Sequence, residues 1–285
     1  MRMTDFKKIL EGKLAHDISS VSAMSGGDIN QVFKLNTTEK NYVVKVNNAN
    51  DFPAMFSKEA LGLQLLGTAI KTPDVIEVFQ EQGLQYLILE YIESETSTDQ
   101  FWLKFGESLA KLHRVTDERF GLDHDNYIGS LIQINDSMTN WQDFFIEKRM
   151  EPLIRMGLDS GILDRSHMFR FNQLYKALPS LIPKNQNSLL HGDLWSGNLM
   201  CGTNQEPVLI DPAVYYGHRE VDIAMTKMFG GFNEVYLEAY QEIFPLENGW
   251  ASRLEIYNLY PRLVHLNLFG TSYLSGINTV LNRYT

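Results

Sequence analysis

His191-Gly192-Asp193-Leu194-Trp195-Ser196-Gly197-Asn198 is the most informative stretch of this chain, and thirteen residues after its asparagine stands Asp211 in Val208-Leu209-Ile210-Asp211-Pro212. Two short apolar runs, Leu189-Leu190 and Val208-Leu209-Ile210, flank a segment rich in Gly, Asp and Asn. A polar loop between two runs that bury themselves puts reactive groups on a rigid support. A Gly-Asp pair near an Asn is also a common turn. A metal-dependent hydrolase is another use for His191, Asp193 and Asp211, but the chain has no His-Glu-x-x-His and no second His/Asp cluster of the kind a two-metal site needs.

The N-terminal third weighs between these readings. It consists of β-rich runs at Ser20 to Met24, Gln31 to Leu35, Tyr42 to Val46, Val75 to Phe79 and Leu84 to Tyr91, with turn signals at Gly26-Gly27, Glu39-Lys40-Asn41 and Gln82-Gly83. These predict five antiparallel strands, interrupted by one helix from about Pro53 to Gly67. Lys45 stands alone among strand formers, where an unpaired ammonium is costly to bury. Fourteen residues on, Glu59 falls on the apolar stripe Phe52, Met55, Leu63, Leu66 of the helix, where a carboxylate has the same difficulty. Pairing the two answers both costs; two separately solvated surface charges is the plainer alternative.

An ion pair from strand to helix, an Asp with an Asn five residues on, and a later Asp ending an apolar strand form the set that kinases use for phosphoryl transfer. In that reading Asp193 accepts the proton of the attacking hydroxyl, while Asn198 and Asp211 offer hard oxygens to Mg²⁺. Lys45 and Glu59 order the phosphates of ATP, and the backbone of Gly26-Gly27 covers them. The strand end Glu90-Tyr91-Ile92 offers its backbone to the adenine, or is only a strand end. Beyond residue 92 helical periods take over, near 98–114, 140–157, 164–177, 233–243 and 250–274. The expected fold is α+β and protein-kinase-like with two lobes: an ATP-binding lobe at 1–92 with a five-stranded antiparallel sheet and one main helix, and a mostly helical catalytic and substrate-binding lobe at 93–285.

Composition narrows the partners. The 285 residues are 44% hydrophobic, 21% charged and 12% aromatic, which suits a folded enzyme and not a disordered chain. The net charge of −10 repels phosphate backbones, so nucleic acid is not an expected partner, whereas neutral or cationic substrates are admitted. Cys201 is the sole cysteine, which excludes an intrachain disulfide and the Cys₂ and Cys₄ zinc patterns. With no apolar run of roughly 18 residues and no signal-peptide core, the expectation is a soluble cytoplasmic protein without a membrane partner.

The loop, taken with Asp211-Pro212-Ala213-Val214-Tyr215-Tyr216-Gly217-His218-Arg219-Glu220-Val221-Asp222, resembles the fructosamine kinase (ketosamine 3-kinase) family, within the wider aminoglycoside phosphotransferase-like group. Leu109-Ala110-Lys111-Leu112-His113, Asn126-Tyr127-Ile128-Gly129 and His265-Leu266-Asn267 extend the similarity over about residues 20–274. The resemblance implies ATP-dependent phosphorylation of the 3-hydroxyl of a ketosamine, on a small amine or a glycated protein, followed by loss of the sugar and hence deglycation. It also implies the roles just given to Asp193, Asn198, Asp211, Lys45, Glu59, Gly26 and Gly27. Many relatives carry a Cys in the glycine loop, where this chain has Asp28 and Ile29, so redox pairing there is not expected. Trp195 is expected either to stack on the sugar or to pack in the core. His218 and Arg219 either orient the substrate or lock the loop. A kinase of the same fold acting on an amino sugar or a choline-like alcohol, and a non-catalytic nucleotide-binding module, are the competing functions.

Overall fold

The computed structural model describes residues 3–24, 29–184 and 187–284. Its N-terminal third is built on one sheet of five antiparallel strands, β1 (Ile18–Ala23), β2 (Gln31–Thr37), β3 (Asn41–Asn48), β4 (Val75–Glu81) and β5 (Leu84–Glu90), in the order β1-β2-β3-β5-β4. Two helices cover the sheet, one on each face. On one face α1 (Met3–Leu14) sets Phe6, Leu10 and Leu14 against Leu35, Tyr42, Val44, Val46, Tyr86 and Ile88. On the other, α2 (Met55–Leu66) sets Met55, Phe56, Ala60 and Leu63 against Leu87 and Leu89. Alternation along a strand explains the division: even-numbered residues of β3 face α1 and odd-numbered ones face α2. Lys45 therefore points to the side on which Glu59 lies.

Helix α1 was not expected, although its buried residues recur every four positions, as a helix requires. It makes β3 a strand buried on both faces, which is why Tyr42-Val43-Val44-Lys45-Val46 reads as nearly unbroken apolar sequence.

The remaining two thirds are mostly helical: α3 (Asp99–Leu112), α4 (Trp141–Phe144), α5 (Glu151–Asp159), α6 (Arg165–Leu181), α7 (Glu220–Met228), α8 (Val235–Ile243), α9 (Trp250–Tyr257), α10 (Leu259–Phe269) and α11 (Leu274–Leu281). The 140–157 segment is not one regular helix, because a π-helical stretch, Phe145–Met150, joins α4 to α5. It places Phe144, Phe145 and Arg149 all in the interior, the guanidinium 3.9 Å above the Tyr215 ring. The 250–274 segment also divides, at Asn258 and again after Gly270, whose φ of 91° no ordinary residue adopts readily. Helix α3 crosses α8 at Gly106, where an added Cβ would lie 2.1 Å from the Tyr236 carbonyl oxygen. Only glycine permits that approach.

Four short strands frame the acidic loops. β8 (Ser188–Leu190) pairs with β11 (Tyr215–Gly217), and β9 (Leu199–Gly202) pairs with β10 (Glu206–Leu209). The hairpin of β6 (Asn126–Ile128) and β7 (Leu131–Gln133) reaches back to α2, where the Tyr127 hydroxyl donates to the Pro53 carbonyl at 3.0 Å. A second tie between the two parts is the parallel bridge of Lys71 with Val208; the Lys71 side chain stays within the N-terminal part, its Nζ donating to Glu90 Oε2 at 2.9 Å.

Candidate active site

The loop between β8 and β9 and the loop between β10 and β11 lie side by side under the sheet. Their spacing depends on Gly192, which has φ +82° and faces the Ala213 carbonyl oxygen so closely that a Cβ would sit 2.0 Å from it. The loop is knitted to itself and to its neighbours. The Asp193 amide donates to His191 Nδ1 (3.2 Å), and His191 Nε2 donates to the Ile210 carbonyl (2.9 Å). This assigns His191 one neutral tautomer, and burial, opposed by Asp222, holds its pKa below the ordinary imidazole range. His191 thus positions the loop and has no free nitrogen for proton transfer.

Beneath it, Asp222 is fully buried and accepts the amides of His191 (2.8 Å, Oδ2) and Gly192 (3.0 Å, Oδ1), with His113 Nε2 at 3.2 Å and the Tyr240 hydroxyl 2.9 Å from His113 Nδ1. A carboxylate holding two successive backbone amides is a rigid mount for the residue that follows them, Asp193.

Asp193 is partly buried at the cleft surface. Asn198 Nδ2 donates to its carbonyl (2.9 Å) and to Oδ2 (3.2 Å). Its pKa is pushed up to about 7, first by burial, then by the Asp211 charge and, more weakly, Asp222, against the Asn198 hydrogen bond. The amide nitrogen of Asn198 is occupied by Asp193, so its Oδ1 is the atom left for a cation. Asp211, at φ 54° in the left-handed region, turns its carboxylate into the same cleft.

Lys45 Nζ lies 2.6 Å from Glu59 Oε1 and also pairs with Asp211 Oδ1. Burial works to lower the Lys45 pKa, but the Asp211 and Glu59 carboxylates outweigh it and hold the ammonium well above its usual value. Glu59 is raised by burial against the pull of Lys45. The pair expected from cost alone is present, and the one ammonium bridges the sheet to the loop that carries Asp211.

These groups open on a cleft of about 770 Å³. Trp195 is 41% exposed and lines it, with its indole lying over Gly197, so this ring is not core packing. His218 and Arg219 require correction as substrate contacts. Both are buried outside the cleft lining, and Arg219 donates to the Phe244 carbonyl (2.6 Å) and to that of Pro245 while lying 3.7 Å over the Phe244 ring. Beside them Arg253 and Glu220 form a buried two-point ion pair (2.7 and 2.5 Å), and His218 is held down near 3 by burial and the charges of Arg253 and Arg219. Of the two roles weighed for these residues, locking the chain is the one their contacts serve.

Gly26 and Gly27 lie outside the described residues. Glu90 ends β5, and Tyr91 and Ile92 follow it toward the helical part, but the Glu90 amide is taken by the Asp74 carbonyl (2.9 Å) and that of Tyr91 by the Asn41 carbonyl (3.4 Å). The Glu90 side chain holds Lys71. None of Glu90, Tyr91 and Ile92 is among the residues that line the cleft. Sequence reading passed over Tyr127, Phe229, Phe269 and Tyr273 as site residues, although all four line the cleft. The Asn126-Tyr127-Ile128-Gly129 match was the available signal for the first and the His265-Leu266-Asn267 match for Phe269, two residues beyond it; Phe229 and Tyr273 stand outside the quoted matches.

Among the described residues no group of three or more His, Cys, Asp or Glu converges as a metal cluster. Asn198 and Asp211 supply oxygen donors alone, which suits a hard ion completed by phosphate oxygens and water and does not suit zinc. No described helix is long and apolar enough to cross a membrane.

Comparison with known proteins agrees with this geometry. Crystal structures of the aminoglycoside phosphotransferase APH(4)-Ia share the fold, with a TM-score of 0.69 at 15% identity and 97% of each chain covered for its complex with ADP and hygromycin B. A candidate fructosamine-3-kinase from Thermobifida fusca superposes with a TM-score of 0.89 at 29% identity, over 97% of this chain and 96% of that one. The probable ketoamine kinase of Lactiplantibacillus plantarum is 39% identical over 94% of this chain and 95% of its own length. The chloroplastic protein-ribulosamine 3-kinase of Arabidopsis thaliana is 34% identical over 97% and 85%. With the fructosamine kinase family model matching residues 3–285, this chain belongs to the fructosamine kinase family.

Proposed function

We propose that this protein transfers the γ-phosphoryl group of ATP to the 3-hydroxyl of a ketosamine, a sugar joined through a ketoamine linkage to a small amine or to a protein lysine. The observation that carries the proposal is the convergence of Lys45, Glu59, Asp193, Asn198 and Asp211 on one cleft in a chain of this family. Asp193 Oδ1 orients the sugar hydroxyl and takes its proton late, because the transition state of phosphoryl transfer is loose. Its raised pKa suits a base working near neutrality. Lys45, held in place by Glu59, faces the phosphates. Asn198 Oδ1 and the Asp211 carboxylate would hold Mg²⁺, which supplies charge neutralisation on the transferring phosphoryl group when bound. Trp195 offers its face to the sugar. The 3-phosphate makes the adduct unstable, so the sugar departs and the amine is restored.

The division of labour follows the sheet: residues 1–92 bind nucleotide, and residues 93–285 bind the sugar and perform the transfer. The backbone of Gly26-Gly27 and the strand end at Ile92 complete the nucleotide site. Work on ketosamines in the cytoplasm fits the acidic, single-cysteine composition.

The test is ADP release coupled to a reporter, measured across ketosamines, aminoglycosides and choline, with two-dimensional NMR to locate the phosphate. Turnover on ketosamines with phosphate on the third carbon supports the reading. Turnover on an aminoglycoside or choline alone replaces it with the competing kinase, and nucleotide binding without turnover on any acceptor replaces it with a binding module.

A further inference from the structure

His113, which ends Leu109-Ala110-Lys111-Leu112-His113, and Arg219, beside His218 and Glu220, stand in motif-bearing segments, yet neither lines the cleft. The fold joins them behind it. Helices α3 and α8 cross closely at Gly106, and two turns further along α3 the His113 ring meets that of Tyr240 at 74°, with 5.5 Å between centroids. His113, Tyr240, Arg219 and Asp222 are all buried, so their polar atoms satisfy one another rather than water.

Donors and acceptors follow by elimination. Arg219 Nη1 only donates, to the Tyr240 hydroxyl (3.2 Å) and to the Phe244 carbonyl (2.6 Å). The Tyr240 oxygen accepts that bond, so its own proton goes to its other neighbour among the described residues, His113 Nδ1, at 2.9 Å. Nδ1 is then an acceptor, and the ring carries its proton on Nε2, which donates to Asp222 Oδ2 at 3.2 Å. The opposite tautomer would set a ring lone pair against a carboxylate oxygen. The doubly protonated ring would leave the Tyr240 proton without an acceptor. Burial, opposed by Asp222 and assisted by the Arg219 charge, also holds the His113 pKa below the usual imidazole range.

Asp222 thus receives three donors: the His191 amide and His113 on Oδ2, and the Gly192 amide on Oδ1. The two amides belong to the loop that carries Asp193; the third donor comes from a different helix and fixes the plane of the carboxylate that holds them. Without it the carboxylate is free to turn, and the two amides lose their direction. We propose that His113 is a positioning residue for Asp193, held as the Nε2–H tautomer by the hydrogen bonds of Arg219 and Tyr240 and acting through Asp222. This rests on the reading of Asp193 as the base.

The experiment measures kcat and the KM for ATP with the acceptor that the ADP-release assay identifies, on variants whose folding is checked by thermal melts. His113→Leu should lower kcat by about 10²-fold, the scale of a small misplacement of a catalytic group, with the KM for ATP nearly unchanged. His113→Gln, which keeps a donor for Asp222, should restore most of the loss. Tyr240→Phe removes one hydroxyl and should lower kcat by about ten-fold, the scale of one hydrogen bond. Each change is then repeated in Asp193→Asn, where it should cost little further, because residues that act as a unit are not additive. A residue that only supported the fold would cost the same factor in both backgrounds. Should His113→Leu fail to fold, Tyr240→Phe carries the same comparison. Nitrogen-15 NMR of histidine-labelled protein should place the His113 proton on Nε2, and Tyr240→Phe should move the Nδ1 resonance as its hydrogen bond is lost. Equal losses in the two backgrounds, a proton on Nδ1, or full activity in the folded variants overturns the inference and leaves Asp193 standing as the base. If Asp193→Asn itself keeps the wild-type kcat, the base reading falls and this inference with it.

Discussion

Lys45 and Asp211, 166 residues apart in the chain, form an ion pair in which the lysine is buried and the carboxylate is half-exposed to the cleft. Glu59 holds the same ammonium from the other side. A cation taken up by Asp211 therefore competes with Lys45, and occupancy of that carboxylate is linked to the freedom of the ammonium to meet a phosphate. The sheet and the acidic loop are joined through the ammonium that the proposed mechanism assigns to the phosphates.

Lys45→Ala removes this junction and leaves Glu59 buried without its partner. Mg-ATP should raise the melting temperature of the wild type, since a ligand at about 100 times its Kd stabilises by roughly 2.7 kcal/mol. The variant should show little of that rise and no turnover. Equal thermal shifts and equal activity in the two proteins would remove Lys45 from the phosphate site.

Asp193→Asn retains shape and hydrogen-bonding capacity but has no carboxylate. Its kcat should fall by about 10²- to 10⁴-fold, the range for a general base, with the KM for ATP nearly unchanged. In metal-free protein the raised carboxyl also links stability to pH. A carboxyl whose folded pKa lies above its unfolded one stabilises the fold when protonated, and that contribution is lost as pH rises toward 7. In metal-free protein the variant should melt above the wild type at pH 8, with the gap narrowing as pH falls below about 7. A constant gap across pH 5 to 8, followed by calorimetry, would contradict the raised carboxyl.

Asp222→Asn swaps one oxygen acceptor for an amide donor against the two backbone amides of His191 and Gly192. One buried donor loses its partner, which costs about 1–3 kcal/mol. Urea denaturation should register that loss, and kcat should fall more than the KM for ATP rises, because the mount of Asp193 is what loosens. Unaltered stability would show that the loop is held by other contacts.

Metal dependence separates the transferase from a hydrolase. Activity abolished by EDTA should return with Mg²⁺ or Mn²⁺, since the donors at Asn198 and Asp211 are oxygens. Asn198→Ala should raise the Mg²⁺ concentration needed for half-maximal rate, and it should also lower the ATP-free melting temperature, because the Asp193 carbonyl loses its 2.9 Å hydrogen bond. Recovery with Zn²⁺ alone would favour hydrolysis.

Much of the architecture was legible because local rules and the tertiary fold agree. The turn signals and β-branched runs marked five strands, and the offsets between Asp193, Asn198 and Asp211 marked an acidic loop between two buried runs. The cost of burying Lys45 and Glu59 separately was enough to pair them, since both stand at positions whose neighbours are apolar. Periodicity could not show that the helix at 140–157 passes through a π-helical stretch or that 250–274 breaks at Asn258 and Gly270, because all these pieces bury a face.

His218, Arg219 and the rings of the cleft mark where chain-local reasoning ends. His218 and Arg219 stand in the same motif-bearing run as Asp211, yet α7, α8 and α9 close over them and turn them into interior ties. Phe269 and Tyr273 lie more than fifty residues beyond the acidic loop in sequence, yet the end of α10 and the turn after it bring them into one cleft with Asp193 and with Phe229 at the end of α7. A residue's type and its immediate neighbours set what chemistry it can perform. Which groups share a cleft and which are sealed away depends on how distant segments pack, and no spacing along the chain encodes that directly.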